Sequence, residues 1–188
     1  MKKSYIIIGV IVVIIIAIIG FIIGGYNNLV TLEEEVDGKY ADIEVQLERR
    51  ADLIPNLVNT VQGYVDHEEA AIEKVTTARE NLVNADGIEE QAEANNELSN
   101  ALNGLMVIVE NYPDLKASQN FINLQDELAG TENRISTARR DYNQAVKSYN
   151  AKIKKIPTNI IAGITGFDEK EYFEAEEGKT EVPNVDFS

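Results

Sequence analysis

His67 is the only histidine in the chain, and it stands among carboxylates in Asp66-His67-Glu68-Glu69. Imidazole beside acids is the raw material of a metal site, and a metal-dependent hydrolase is the chemistry it would serve. Ligands carried by one helix must lie three or four residues apart to share a face. These are adjacent, and no second histidine completes a His-x-x-x-His pair. The cluster reads better as a helix start, where acids meet the positive end of the helix dipole. Without a second histidine the serines have no obvious base. Cysteine is absent, which excludes disulfides, zinc thiolates and cysteine nucleophiles. No glycine-rich loop follows a strand, so the phosphate-cradle motifs are missing too. The residues point to no enzyme, no cofactor, no metal and no small-molecule substrate.

Upstream lies a denser polar pattern: Arg49, Arg50, Asp52, Pro55 and Asn56. Arg50 falls on an apolar seam, which leaves two readings. It is a paired or snorkelling arginine that fixes helix register, or a partner-binding arginine close to a proline kink. A polar-proline block this dense exceeds what a seam requires, so these five residues are the candidate partner-binding set. Two further arginines, Arg79 and Arg139, end similar stretches, Val75-Thr76-Thr77-Ala78-Arg79 and Ile135-Ser136-Thr137-Ala138-Arg139. Chance or shared bundle packing accounts for five matched residues more safely than a duplication does. The pairs Tyr142-Asn143 and Tyr149-Asn150 recur seven residues apart. Their tyrosines fall on a seam, where the ring packs and the hydroxyl needs a partner.

Long helices must position all of this. Leu29, Leu32, Val36, Tyr40, Ile43, Leu47, Arg50, Ile54, Leu57 and Val61 alternate mainly three and four apart. Pro55 should kink that helix, because it removes one hydrogen bond and crowds the preceding turn. Gly63 to His67 reads as a break. A second helix carries Ala71, Ile72, Val75, Ala78 and Leu82 on one face, and Asn84-Ala85-Asp86-Gly87 is a turn. A third runs from about Ile88 to Glu110 and stops at Asn111-Tyr112-Pro113-Asp114. The last, from Leu115 to Ile156, is the most regular, with Phe121, Leu124, Leu128, Thr131, Ile135, Ala138, Tyr142, Ala145, Tyr149 and Lys152 in its seam. The reading is all-α: an N-terminal transmembrane helix, then an elongated antiparallel up-and-down bundle of three to four long helices. The bundle occupies residues 27–157, and an irregular tail follows over 158–188.

The first segment, 1–26, is the anchor. Ile6 to Gly25 is an uncharged apolar run of the length that a helix needs to cross a bilayer. Tyr5 and Tyr26 bracket it, so the lipid contact covers residues 5–26. A cleaved signal would have a shorter apolar core and a small-residue cleavage site, and Gly24-Gly25-Tyr26 is a poor one. Lys2 and Lys3 precede the run, and no basic residue follows until Lys39. The positive-inside rule then favours a single-pass protein of the cell membrane, with a cytoplasmic N-terminus and its body outside. All 32 acidic residues and 15 of the 17 basic ones follow Tyr26, so the body carries −17 against −15 for the whole chain. Such a body is repelled by nucleic acid and by anionic lipid heads. A protein partner or self-association is what the long seamed faces leave.

The stretch from Val45 through Arg49-Arg50-Ala51-Asp52-Leu53-Ile54-Pro55-Asn56-Leu57-Val58, with Gly63-Tyr64 and His67-Glu68 after it, closely resembles the signature of the LemA family. Tyr26-Asn27, Val75 to Arg79, the two Tyr-Asn pairs, Phe173-Glu174-Ala175 and Pro183-Asn184-Val185-Asp186-Phe187 extend the resemblance over nearly the whole chain. It implies an anchored antiparallel helical bundle with no established enzymatic activity to carry over. A related branch works in magnetosome membranes, which implies a membrane-organising or partner-holding role. The function expected is a membrane-anchored, non-enzymatic scaffold; the alternative is an oligomerising protein that shapes the membrane, with Gly9, Gly20 and Gly24-Gly25 allowing anchors to approach.

Overall fold

The three-four seam that opens the body is buried along one helix. In the computed structural model, which describes residues 2–65 and 67–173 and the side chains from Tyr5 onward, α1 spans Lys2–Gln62. Leu29, Val36, Ile43, Leu47, Arg50, Ile54, Leu57 and Val61 are all buried in it. Among the described residues five more helices follow: α2 (Glu69–Asn84), α3 (Gly87–Val109), α4 (Pro113–Lys116), α5 (Gln119–Lys154) and α6 (Thr158–Thr165). There is no strand among the described residues. The expectations for Asp66 and for the irregular tail over 174–188 lie outside the described residues.

The boundaries follow local chemistry. Gly87 opens α3 with φ +79°, the left-handed region that glycine enters without a Cβ clash. The Glu90 carboxylate reaches back to accept the Asp86 backbone N–H at 3.0 Å. The fourth expected helix is split. Ser118 donates its N–H to the Leu115 carbonyl and accepts from the Ile122 N–H, closing one turn and starting the next helix at Gln119. Serine is a preferred residue at such a start, and that ends the single helix expected from Leu115. At the far end α5 stops at Lys154, short of Pro157.

The tail expected to be irregular from Thr158 begins with a helix instead. Asn159-Ile160-Ile161-Ala162 carries α6, and Gly166 closes it with φ +79°. The N–H groups of Gly166 and Phe167 both bond the Ala162 carbonyl. Gly166 is the left-handed cap of this helix.

Contacts divide the chain into two units. The first joins Met1–Lys39 to Tyr142–Glu171. Here α1 passes without a break from the apolar run into Leu29 and Val36, and its first stretch is long and apolar enough to cross a membrane. The Tyr-Asn pairs tie down the chain that returns after α6. Tyr142 Oη donates to the Glu171 carbonyl at 2.8 Å. The Asn150 amide donates to the Lys170 carbonyl at 2.8 Å and accepts the Lys170 N–H at 3.0 Å, as a neighbouring strand would. Lys170 Nζ lies 2.9 Å from Glu33 Oε1 and 3.6 Å from Asp37 Oδ1 on α1.

That anchorage is sensitive to alkali. Burial pushes the Lys170 ammonium down, but the Glu33 hydrogen bond and the charges of Asp37, Glu33 and Tyr149 outweigh it, and the net shift is upward from 10.5. Burial, then Glu33, raises the Tyr149 phenol from 10.0, while Lys170 opposes. Both groups hold their protons more tightly when folded, so each contributes stability that is intact below the ordinary value and lost as pH rises past it. Thermal unfolding is expected to hold steady from neutral pH to about 9.5 and to fall above about 10. Lys170→Met should flatten part of that fall, and an unaltered alkaline limb in this variant would remove Lys170 from the account.

The second unit comprises Tyr40–Asp141 and Tyr172–Ser188. Within it α2 and α3 fold back on each other, with Val75, Ala78 and Leu82 buried on α2 and Ala94, Leu98, Leu102, Leu105 and Val109 on α3. Asn81 Nδ2 donates to Glu97 Oε2 across the pair at 2.8 Å. Phe121, Leu128, Thr131 and Ile135 are the buried residues of α5 in this unit. Phe173 is buried, with the Arg139 guanidinium 4.7 Å above its ring.

Candidate partner-docking face

Residues 49–56 divide between two sides of α1. Arg50 points inward and is only 4% exposed. Its Nη1 donates to Asn95 Oδ1 on α3 at 2.5 Å, and its Nη2 donates to Ser99 Oγ at 3.0 Å. Glu132 Oε2 on α5 lies 2.7 Å from Nη1, a close ion contact rather than an aligned hydrogen bond. Burial lowers the Arg50 guanidinium from its ordinary value, against the pull of Glu132. A guanidinium stays charged under such a push, so one cation joins α1, α3 and α5. A polar contact of this kind fixes helix register, because a shift by one residue strands each partner.

Pro55 has an internal counterpart. A proline inside a helix has no N–H to offer the carbonyl four residues earlier. That carbonyl belongs to Ala51, which is buried, and Arg79 Nε on α2 donates to it at 3.1 Å. Arg79 therefore supplies the hydrogen that Pro55 lacks. Arg139, which ends the similar stretch on α5, stacks on Phe173 instead. The two matched stretches have different partners.

The other side of the block faces solvent. Asp52, Pro55 and Asn56 are exposed on successive turns, and Arg49 beside them meets Glu127 of α5 at 3.3 Å. Both members of that pair are half exposed, so it stabilises little. Among the described residues the side chains of Asp52 and Asn56 make no hydrogen bond or ion pair. Val45 continues the face toward Lys39 and is 58% exposed.

His67 is exposed in the bend before α2, and Glu68 stands at the start of that helix. The Glu68 carboxylate accepts from Tyr112 Oη at 3.1 Å, which ties the bend to the chain after α3. Sequence reasoning missed Asn95, Ser99 and Glu132 as partners of Arg50. One signal was present: Asn95 is a polar residue on the apolar face of α3, and it is 1% exposed.

The chain resembles several known proteins. The chain is 30% identical to magnetosome protein MamQ 2 of Paramagnetospirillum magneticum over 186 residues, covering 85% of this chain and 68% of that protein. It is 28% identical to magnetosome protein MamQ of Magnetospirillum gryphiswaldense over 185 residues, with the same coverage. It is also 28% identical to the protein LemA of Metamycoplasma hominis over 141 residues, covering 74% of this chain and 64% of that one. The pattern of the LemA family matches residues 39–187, taking in the Arg49–Asn56 block and both Tyr-Asn pairs, and the chain belongs to the LemA family.

Proposed function

We propose that this protein is a membrane-tethered, non-enzymatic helical scaffold that presents α1 and its neighbours to a protein partner. The apolar run spans the bilayer once, and the bias of Lys2 and Lys3 sets the body outside the cytoplasm. Arg49, Asp52, Pro55 and Asn56 form the docking face, and Arg50 supports it from within. The observation behind this reading is the unused polar chemistry of Asp52 and Asn56, which stand exposed beside a rigid proline. Exposed polar groups on a well-ordered helix cost little conformational entropy when a partner binds.

Crosslinking in native membranes tests the face. Arg49→Ala and Asp52→Ala are expected to fold as the parent chain does and to lose a crosslinked partner. If both variants retain every adduct, the face is wrong.

A second reading is favoured by the magnetosome proteins among the relatives. In it the chain oligomerises through its anchor and organises the membrane around it. Full-length protein in liposomes separates the two: concentration-dependent oligomers with altered vesicle shape support the second, and monomers in unchanged vesicles support the first.

A further inference from the structure

Beyond the anchor, only three isoleucines are exposed among the described residues, and they lie close together: Ile156 at 82%, Ile160 at 59% and Ile164 at 80%. Ile156 is in the turn after α5, and the other two are one turn apart on α6. At 100° per residue Ile160 and Ile164 share one exposed side of α6, next to the buried Ile161 and away from the buried Thr158 and Ala162. The helix, Thr158–Thr165, contains no charged residue. An unpaired apolar stripe on a protein surface marks a contact with something that covers it.

The position of α6 indicates what that cover is. Ile161 packs against Gly25, the last residue of the apolar run, so closely that a Cβ there would collide with Ile161 Cδ1. Just past it, Tyr26 and Phe167 meet edge to face with centroids 5.6 Å apart. Tyrosine beside the end of a span marks the level of the lipid headgroups. The run from Ile6 to Gly25 has the length of the hydrocarbon core, so Gly25 lies where that core ends. The inner face of α6 is thus fixed to α1 at the bilayer surface. Ile160 and Ile164 stand exposed on the helix that carries Ile161, and Lys152, Lys154 and Lys155 precede them.

We infer that α6 is a second membrane contact, a short interfacial helix whose Ile156, Ile160 and Ile164 rest in the bilayer boundary beside the anchor. The inference rests on the reading of α1 as a membrane span. Contact at two points fixes the tilt and rotation of the first unit against the lipid surface, where a lone span leaves rotation free. Glycine at position 25 admits this close approach; a larger residue there would make the Ile161 Cδ1 methyl give way.

The absence of cysteine makes the test direct. Ile164→Cys, Ile14→Cys and Val107→Cys each give one labelling site on an exposed side chain, so none disturbs packing. Each full-length variant is labelled with an environment-sensitive fluorophore and reconstituted in phosphatidylcholine–phosphatidylglycerol vesicles. Quenching is read with aqueous iodide and with lipid carrying a nitroxide near its headgroup. The label at 164 is expected to be several-fold less accessible to iodide than that at 107, to be quenched by the nitroxide lipid, and to be indifferent to protein density. Iodide access equal to that at 107, with the label at 14 still in lipid, overturns the inference and leaves the anchor standing. Shielding that grows with protein density without lipid quenching means that a second copy covers the stripe, and it also overturns the inference. A label at 14 open to iodide overturns the span reading and this one together.

Discussion

Arg50→Ala is expected to lower the unfolding free energy by about 3 kcal/mol, the lower end of the range for breaking a buried charge pair. The lower end applies because Glu132 keeps 44% of its side chain in solvent, although the Oε2 that meets Arg50 is itself buried. Asn95 has no such escape at 1% exposure, and its Oδ1 would lose the Nη1 donor inside the unit. Most of the loss should therefore come from stranded acceptors rather than from lost attraction. Arg50→Lys should recover only a minor part, because one ammonium cannot reproduce a planar fork that reaches Asn95 and Ser99 from separate nitrogens. Conversely, Arg50→Met combined with Asn95→Leu and Ser99→Ala should lie closer to the parent than Arg50→Ala does. Urea unfolding of the full chain in detergent, followed by circular dichroism, measures all three. An Arg50→Ala variant within about 0.5 kcal/mol of the parent, the scatter expected of a neutral surface change, would deny Arg50 its register role. If that variant also lost its crosslinked partner, recognition would be the residue's task instead.

The division within residues 49–56 shows what a linear reading can and cannot resolve. Seam spacing placed Arg50 between Leu47 and Ile54, both of which are buried as expected. Periodicity reports which side of a helix a residue occupies, so it found the inward face and left Asp52, Pro55 and Asn56 outside. It does not report which residue of another helix lies opposite. Asn95 and Ser99 are forty-five and forty-nine positions away in sequence, and their alignment with Arg50 depends on how α3 folds back. The same limit applies to the Tyr-Asn pairs. Their seam positions were legible, but Tyr142 and Asn150 bind the backbone of Glu171 and Lys170, whose own residue types carry no trace of it. Glycine misled in one place. Gly163 and Gly166 suggest irregular chain when counted, yet Gly166 ends α6 by taking a left-handed conformation. The Ile160-Ile161-Ala162 core of that helix is too short for periodicity to separate it from a loop.

Arg79→Ala is expected to destabilise the chain by about 1–3 kcal/mol, the cost of a buried carbonyl left without a donor. What makes this prediction specific is its dependence on Pro55. In the parent the Ala51 carbonyl receives Arg79 Nε and cannot receive an N–H from position 55. Pro55→Ala restores that N–H and the ordinary helical bond. In the Pro55→Ala background, Arg79→Ala should therefore cost at least about 1 kcal/mol less than it does in the parent, because the carbonyl is already satisfied. Pro55→Ala alone should be neutral or slightly stabilising, since alanine suits a helix interior while proline restricts the unfolded chain. The four chains of this double-mutant cycle can be unfolded in urea under one set of conditions. Equal costs in the two backgrounds would mean that Arg79 serves packing, and that the carbonyl is met in another way. The expected inequality would explain why a proline can sit in the middle of α1 without ending it: the interruption at Ala51 is filled from α2. The Pro55 ring is then available to the exposed face, and its rigidity is supported from inside the unit.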